Sequence, residues 1–138
     1  MDLSGQTAVV TGAGSGIGRA IALRLASEGA KLTLVGRRRA PLKKTAAACI
    51  DAGASEALVK TADISDRAAV ERAFSAAAKQ NGPIDALVAN AGIGGANEPT
   101  GDGDRFDELV ATNVNGTYHC LRAAESRLAK GPDARRQW

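Results

Sequence analysis

At 138 residues, with 44% apolar and 24% charged side chains, the chain has the length and balance of a single globular domain rather than a disordered segment. Aromatic residues make up only 3%, and the net charge of +3 is spread out apart from Arg37 to Arg39, which removes both a base-stacking surface and a broad basic face for nucleic acid. No apolar run approaches the ~18 residues a membrane helix needs, and the opening MDLSGQ lacks a signal peptide's basic start and apolar stretch, so the expected setting is the cytoplasm without a membrane partner.

In chain order, TAVVT (7 to 11) is a β-branched run closed by glycines, which predicts a strand. From Ile17, the residues Ile17, Ala20, Ile21 and Leu25 recur at helical spacing until Gly29, so a strand, a glycine turn and a helix open the chain. KLTLV (31 to 35) predicts a second strand, followed from about Pro41 by a helix with Leu42, Ala46, Cys49 and Ile50 on one face and Gly53 after it. EALVKTAD (56 to 63) predicts a third strand. Ser65 or Asp66 then caps a helix whose face is Val70, Ala73, Phe74 and Ala77, ending before Asn81-Gly82-Pro83.

IDALVANAG (84 to 92) is nearly continuous in apolar character, as suits a strand covered on both faces of a parallel sheet. A glycine-rich loop from Gly92 to Gly103 leads to a long helical stretch, capped by Asp104 and running through Lys130, with Leu109, Asn113, Val114, Leu121 and Leu128 facing inward. GPDARRQW (131 to 138) opens with the glycine and proline that end helices. Strict strand and helix alternation predicts a doubly wound parallel sheet with right-handed crossovers, in which ligands bind beyond the carboxyl ends of the strands. Cys49 and Cys120 have neither a CxxC partner nor neighbouring histidines, so they read as buried small apolar residues and no metal is expected.

The turn after the first strand, TGAGSGIGR (11 to 19), does not fit G-x-G-x-x-G, because the last position counted from Gly12 is Ile17. Gly12, Gly16 and Gly18 nevertheless remove Cβ atoms where the backbone turns sharply, approaches a diphosphate and packs helix on strand. Free amides near Gly16 and Ile17, at the positive end of a helix, can hold the anion without a lysine, and no GK[ST] follows as a kinase-type loop would have. This loop resembles the TGxxxGxG of the short-chain dehydrogenase/reductase family, and three further segments match in order: ADIS (62 to 65), NAG (90 to 92) and NVNGTYH (113 to 119). The resemblance implies a Rossmann fold, here with strands 1 to 4 and their crossover helices, over residues 1 to 138 as one NAD(P)-binding domain.

It further implies that Gly12, Ser15, Gly16, Ile17 and Gly18 surround the diphosphate and that Asp63 and Ile64 meet the adenine. Asn90, Ala91 and Gly92 would border the inner edge of the nucleotide, and Asn113 would belong to the active site, helping to hold a water in a proton relay. From the residues alone, Asp63 equally suits a turn cap, Asn90 a turn former, and Asn113 on an apolar helical face either a satisfied kink or a functional position.

Roughly 20 residues past the glycine loop, where an acidic residue would bind the ribose of NAD, stands Gly36, followed by Arg37 and Arg38. Two guanidinium groups suit a 2′-phosphate, so NADP is expected over NAD, with a solvated charge run as the alternative. The family's serine and Tyr-x-x-x-Lys, which carry the acid/base chemistry of alcohol and ketone interconversion, find no counterpart in the 138 residues. Tyr118 with Arg122 has the spacing but stands in the NVNG helix beside Asn113, so Tyr118 is expected to pack and His119 to be exposed or satisfied on its helix. The expectation is a dinucleotide-binding half of an oxidoreductase for small carbonyl or alcohol substrates, inactive alone, with the fourth strand left as an apolar sheet edge. An interaction module pairing through that edge and the long helix with a second copy or a full-length relative is the other reading. A methyltransferase-like domain is a third, weakened by NAG, NVNG and the missing acid after the second strand.

Overall fold

The computed structural model describes residues 1–95 and 104–129. Most of the glycine-rich loop, the first part of GDGDRFDE (101 to 108), Lys130 and GPDARRQW lie outside the described residues. The order is β1 (Thr7–Thr11), α1 (Gly16–Ser27), β2 (Lys31–Gly36), α2 (Arg39–Ala52), β3 (Glu56–Thr61), α3 (Arg67–Asn81), β4 (Ala86–Val88), α4 (Phe106–Val110), a π-helical turn (Ala111–Gly116) and α5 (Thr117–Glu125). The four strands pair in parallel in the order β3-β2-β1-β4, with Val9 of β1 opposite Thr33 on one side and Leu87 on the other.

Alternation along the strands divides the core into two layers. Val9 and Val35 face α3 and α5, packing with Val70, Phe74, Ala77, Cys120 and Ala124. Ala8, Val10, Leu32 and Leu34 face the opposite way, against Ala22, Ala26, Leu42 and Cys49 of α1 and α2. Successive strand residues point to opposite faces, so a strand buried at every position, as β1 is at all five, must be covered twice. Both cysteines are free and fully buried; burial raises both thiols, that of Cys120 to about 11, which keeps them protonated and unreactive.

Several expected helix faces are rotated. The buried stripe of α1 is Gly18, Ala22 and Ala26, while Ile17 is 72% exposed and Ala20 is exposed as well. In α2 the expected Leu42 and Cys49 are buried, joined by Thr45, and only Ile50 of the expected face turns outward. Close packing of helix on sheet selects the small side chains for the contact, whereas bulk alone had suggested the larger ones. The face of α3 is as expected, and of its two candidate caps Asp66 serves, its carboxylate accepting from the Ala69 amide at 3.1 Å.

The long helix is also different. It stops at Glu125 and contains the π-helical turn, whose extra residue shifts the helical phase by about 100°. Gly116, Cys120, Ala123 and Ala124 consequently face inward, and Val114, Tyr118 and Leu121, expected to pack, are 60%, 56% and 40% exposed. Asp104 accepts from the Phe106 amide at the helix start, 2.9 Å away. Leu128 lies past α5 in a parallel bridge to Ile84, with Ile84 and Ala129 amides bonding Arg127 and Ile84 carbonyls at 2.9 Å. Among the described residues, pairing beside the start of β4 is therefore made at Leu128. Arg127 fastens this return, bonding the Ala123 carbonyl and the Glu71 carboxylate of α3 at 2.8 Å each.

β4 itself is shorter than the apolar run suggested. Ala86 is exposed and Leu87 and Val88 are half-buried, because β4 is the edge of the described sheet. Before it, Asp85 replaces a ladder residue: its carboxylate accepts from the Thr7 amide at 2.8 Å while its own amide donates to the Thr7 carbonyl at 2.9 Å. The cap of α3 is separable from these contacts. Replacing Asp66 by alanine should lower unfolding stability in urea by about 1 kcal/mol, whereas Asp66→Asn should stay within a few tenths.

Candidate functional site

The carboxyl ends of the four strands open on a cleft of about 490 Å³, and every candidate residue except Gly18 and Asn113 lines it. Gly14, Gly36, Pro41, Leu42, Ala62, Ile93 and Thr112 complete the walls. A second, larger groove of about 710 Å³ runs along the open edge of β3, away from the motif residues.

Thr11 shapes the floor. Its hydroxyl accepts from the Asn90 and Ala91 amides at 3.1 and 3.0 Å and faces the Val88 carbonyl at 3.4 Å, and its carbonyl accepts from the Asn90 side-chain amide at 3.1 Å. The residue is 1% exposed, so these bonds form away from water. They carry Asn90 between two glycines. A Cβ at Gly12, whose φ is +67°, would stand 2.8 Å from Asn90 Nδ2 and 2.9 Å from Ala91 Cα, and one at Gly18 would strike the Gly12 carbonyl and come within 2.6 Å of Asn90 Nδ2. Gly18 is thus a packing glycine buried under the loop, outside the cleft lining. Gly16 differs again: φ is +53°, and a Cβ there would meet nothing within 4 Å.

Ser15 caps α1 in extended geometry without spending its side chain on a cap bond, and the first turn holds no acidic residue. The amides that open α1 therefore face the cleft beside Gly16 with the positive end of a 12-residue helix behind them. Opposite, α2 begins at Arg39, again with no acid in its first turn. Arg37 and Arg38, both exposed, form no salt bridge among the described residues, and with Arg39 they bring three cations to a helix end that repels them.

Asp63 lies past β3, exposed at the cleft wall. Its Oδ1 accepts from the Ser65 hydroxyl at 2.7 Å and the Ser65 amide at 3.0 Å. Those two bonds, the hydroxyl first, hold its carboxyl below the usual range against partial burial, and Arg37 adds to the effect, so it is an anionic acceptor at neutral pH. Ile64, next to it, is buried and packs under Gly116, where a Cβ would come within 2.6 Å of Ile64 Cγ1. Asn113 stands within the π-helical turn and is exposed, contrary to the inward position expected. Its amide pairs twice with the backbone of Ile93: Oδ1 accepts from the amide and Nδ2 donates to the carbonyl, both at 2.8 Å. Tyr118 does not line the cleft.

Sequence reasoning missed Thr11, although it stands at the end of the first strand directly before the glycine loop, and a β-branched hydroxyl there is the available signal. Thr112 and Ile93 had no such signal, since they enter the cleft only through the course of the chain after β4.

The short chain dehydrogenase family model matches residues 6–135. Levodione reductase from Leifsonia aquatica is 42% identical over 113 residues, which cover 80% of this chain and 42% of that enzyme. Among solved structures, an NAD+-bound xylitol dehydrogenase superposes with a TM-score of 0.84 at 35% identity, over 92% of this chain and 49% of the other. A metagenomic short-chain oxidoreductase in complex with NADP gives 0.82 at 37% identity, over 91% and 57%. The chain spans about half the length of the curated relatives it matches.

The Thr11 contacts are testable without any ligand. Thr11→Val should destabilise the chain by about 2–4 kcal/mol in chemical unfolding, since two amides lose their acceptor, and Thr11→Ser should recover most of that.

Proposed function

The chain belongs to the short-chain dehydrogenase family, and from that premise we propose that it binds a nicotinamide dinucleotide across the cleft, with NADP preferred. The observation that carries the preference is the pair Arg37 and Arg38, cations without a salt-bridge partner among the described residues, at a helix end that disfavours them and beside Gly36 where an NAD-binding acid would stand. In this reading the diphosphate lies on the opening amides of α1 near Ser15, Gly16 and Ile17, and Gly16 leaves the room for it. Gly12 and Gly18 let the loop close on Asn90. Asp63 accepts from the adenine amino group beside Ile64, and Asn90, Ala91 and Gly92 border the inner edge.

The reaction class is hydride exchange with a small alcohol or carbonyl compound. Asn113 is the active-site member these residues hold, and its side chain fixes the Ile93 backbone at the cleft wall. With no serine and Tyr-x-x-x-Lys assigned in the 138 residues, the chain by itself binds without turning over. The free thiols, buried and protonated, suit the reducing cytoplasm. Family membership leaves no place for the methyltransferase reading.

In calorimetric titration NADPH should bind more tightly than NADH. The Arg37→Ala, Arg38→Ala double variant should lose about 1.5–3 kcal/mol toward NADPH, a ten- to hundredfold weakening, with NADH within about twofold. Tighter NADH binding indifferent to Arg37→Ala would overturn the preference, and sustained carbonyl reduction by the 138-residue chain would overturn the account of its inactivity.

A second reading adds association. Val114, Tyr118 and Leu121 are exposed at spacings of four and three residues, with Phe106 upstream 59% exposed, and β4 is the edge of the described sheet. These surfaces suit a second copy or a full-length relative. Light scattering after size exclusion should show a species heavier than one chain, reduced to a monomer by Val114→Glu with Leu121→Glu; a monomer at all concentrations, with or without the relative, removes the reading.

A further inference from the structure

The segment Asp63 to Asp66, which joins β3 to α3, carries the proposed adenine contacts without being part of any strand ladder. Within it, Ser65 bonds Asp63 Oδ1 and the Asp66 amide bonds the Asp63 carbonyl at 3.0 Å, while Asp66 ties its far end to α3 by accepting from the Ala69 and Val70 amides at 3.1 Å each. Upstream, the Ala62 amide is held by the Gly36 carbonyl at 2.9 Å. Both ends of the turn are thus anchored, and its middle is set against the cleft by contacts from outside. Ile64 supplies two. Its side chain is buried under Gly116, and its carbonyl lies 2.9 Å from His119 Nδ1 of α5, 55 residues along the chain.

We propose that His119 is a positioning residue for the adenine end of the cleft: its Nδ1–H holds the Ile64 carbonyl and thereby fixes the turn that presents Asp63 and Ile64 to the base. A carbonyl oxygen can only accept, so the ring must carry its proton on Nδ1 when neutral. Gly116 and His119 act together. The missing Cβ at 116 lets the helix descend onto Ile64, and that approach brings the imidazole of 119 within reach of the same residue's carbonyl. Apolar packing of the Ile64 side chain resists separation of the two segments but does not by itself fix the orientation of the Ile64 peptide group between the two anchored ends. A directional bond to the backbone removes that freedom. The inference rests on the dinucleotide reading above, because it assigns the adenine to this wall.

Three ligands separate the possibilities: adenosine 2′,5′-bisphosphate for the adenine end, reduced nicotinamide mononucleotide for the other end, and NADPH for both. His119→Leu should weaken the bisphosphate and NADPH about fivefold, the worth of one lost hydrogen bond, and leave the mononucleotide unchanged. His119→Asn, whose amide can donate from nearly the Nδ1 position, should restore binding to within about twofold. Equal weakening of all three ligands, unchanged binding by His119→Leu, or failure of His119→Asn to restore it would overturn the inference while leaving the dinucleotide reading intact. Wild-type chain that binds none of the three would overturn both. Nitrogen-15 NMR of the neutral wild-type imidazole needs no variant to fold: a proton on Nδ1 supports the bond, and one on Nε2 overturns it.

Discussion

Beyond its ladder with β4, the end of β1 is held to the segment after β4 through Thr11. Thr11 Oγ1 collects the amides of Asn90 and Ala91, and the Thr11 carbonyl collects the Asn90 side chain, in a place 1% open to solvent. Parallel neighbours cannot be joined by a tight turn, so the ends of these strands, about 80 positions apart in sequence, need a contact of this kind to stay in register. The glycine loop is built around the result. Asn90 Nδ2 lies within 2.8 Å of where Cβ atoms at Gly12 and Gly18 would stand, so the glycines of one motif and the asparagine of another are two sides of a single close approach.

Around that approach the helix ends and arginines present positive charge, with Asp63 the carboxylate among the cleft's described lining. Two helices open on the cleft with no acid in either first turn, and Arg37 and Arg38 stand at the second of them. A folded chain does not gain by placing three successive arginines at the positive end of a helix, and Asp63 across the wall is held by Ser65 rather than by an ion pair. Beside these charges Gly16 has empty space where a side chain would go, while Gly12 and Gly18 do not.

The helix after β4 does two tasks with one irregularity. Its π-helical turn carries Asn113 outward far enough for the side-chain amide to pair with both polar groups of Ile93, and the Thr117 hydroxyl bonds the Asn113 carbonyl at 2.9 Å. The added residue then rotates the following turns, so that Gly116, Cys120, Ala123 and Ala124 meet the core. Asparagine is a poor helix former because its side chain competes for backbone groups. Here that competition is satisfied by a neighbouring segment, and a local conflict in the sequence marks the place where two segments are joined.

The sequence by itself determined the element types, their order, the alternation that makes a parallel sheet with helices on both faces, and the positions of the glycine, NAG and NVNG motifs. These are legible because they depend on short-range chemistry: β-branched runs, glycines where φ is positive, and caps such as Asp66. Which face of α1 and α5 is buried was decided by tertiary structure. Side-chain bulk at helical spacing marks an apolar surface, but two layers that approach closely select glycine and alanine for the contact and turn Ile17, Val114 and Leu121 outward. The same holds for Thr11 and His119, whose partners lie about 80 and 55 positions away: a hydroxyl and an imidazole declare their capacity to bond in the sequence, and only the fold supplies the atoms they bond to.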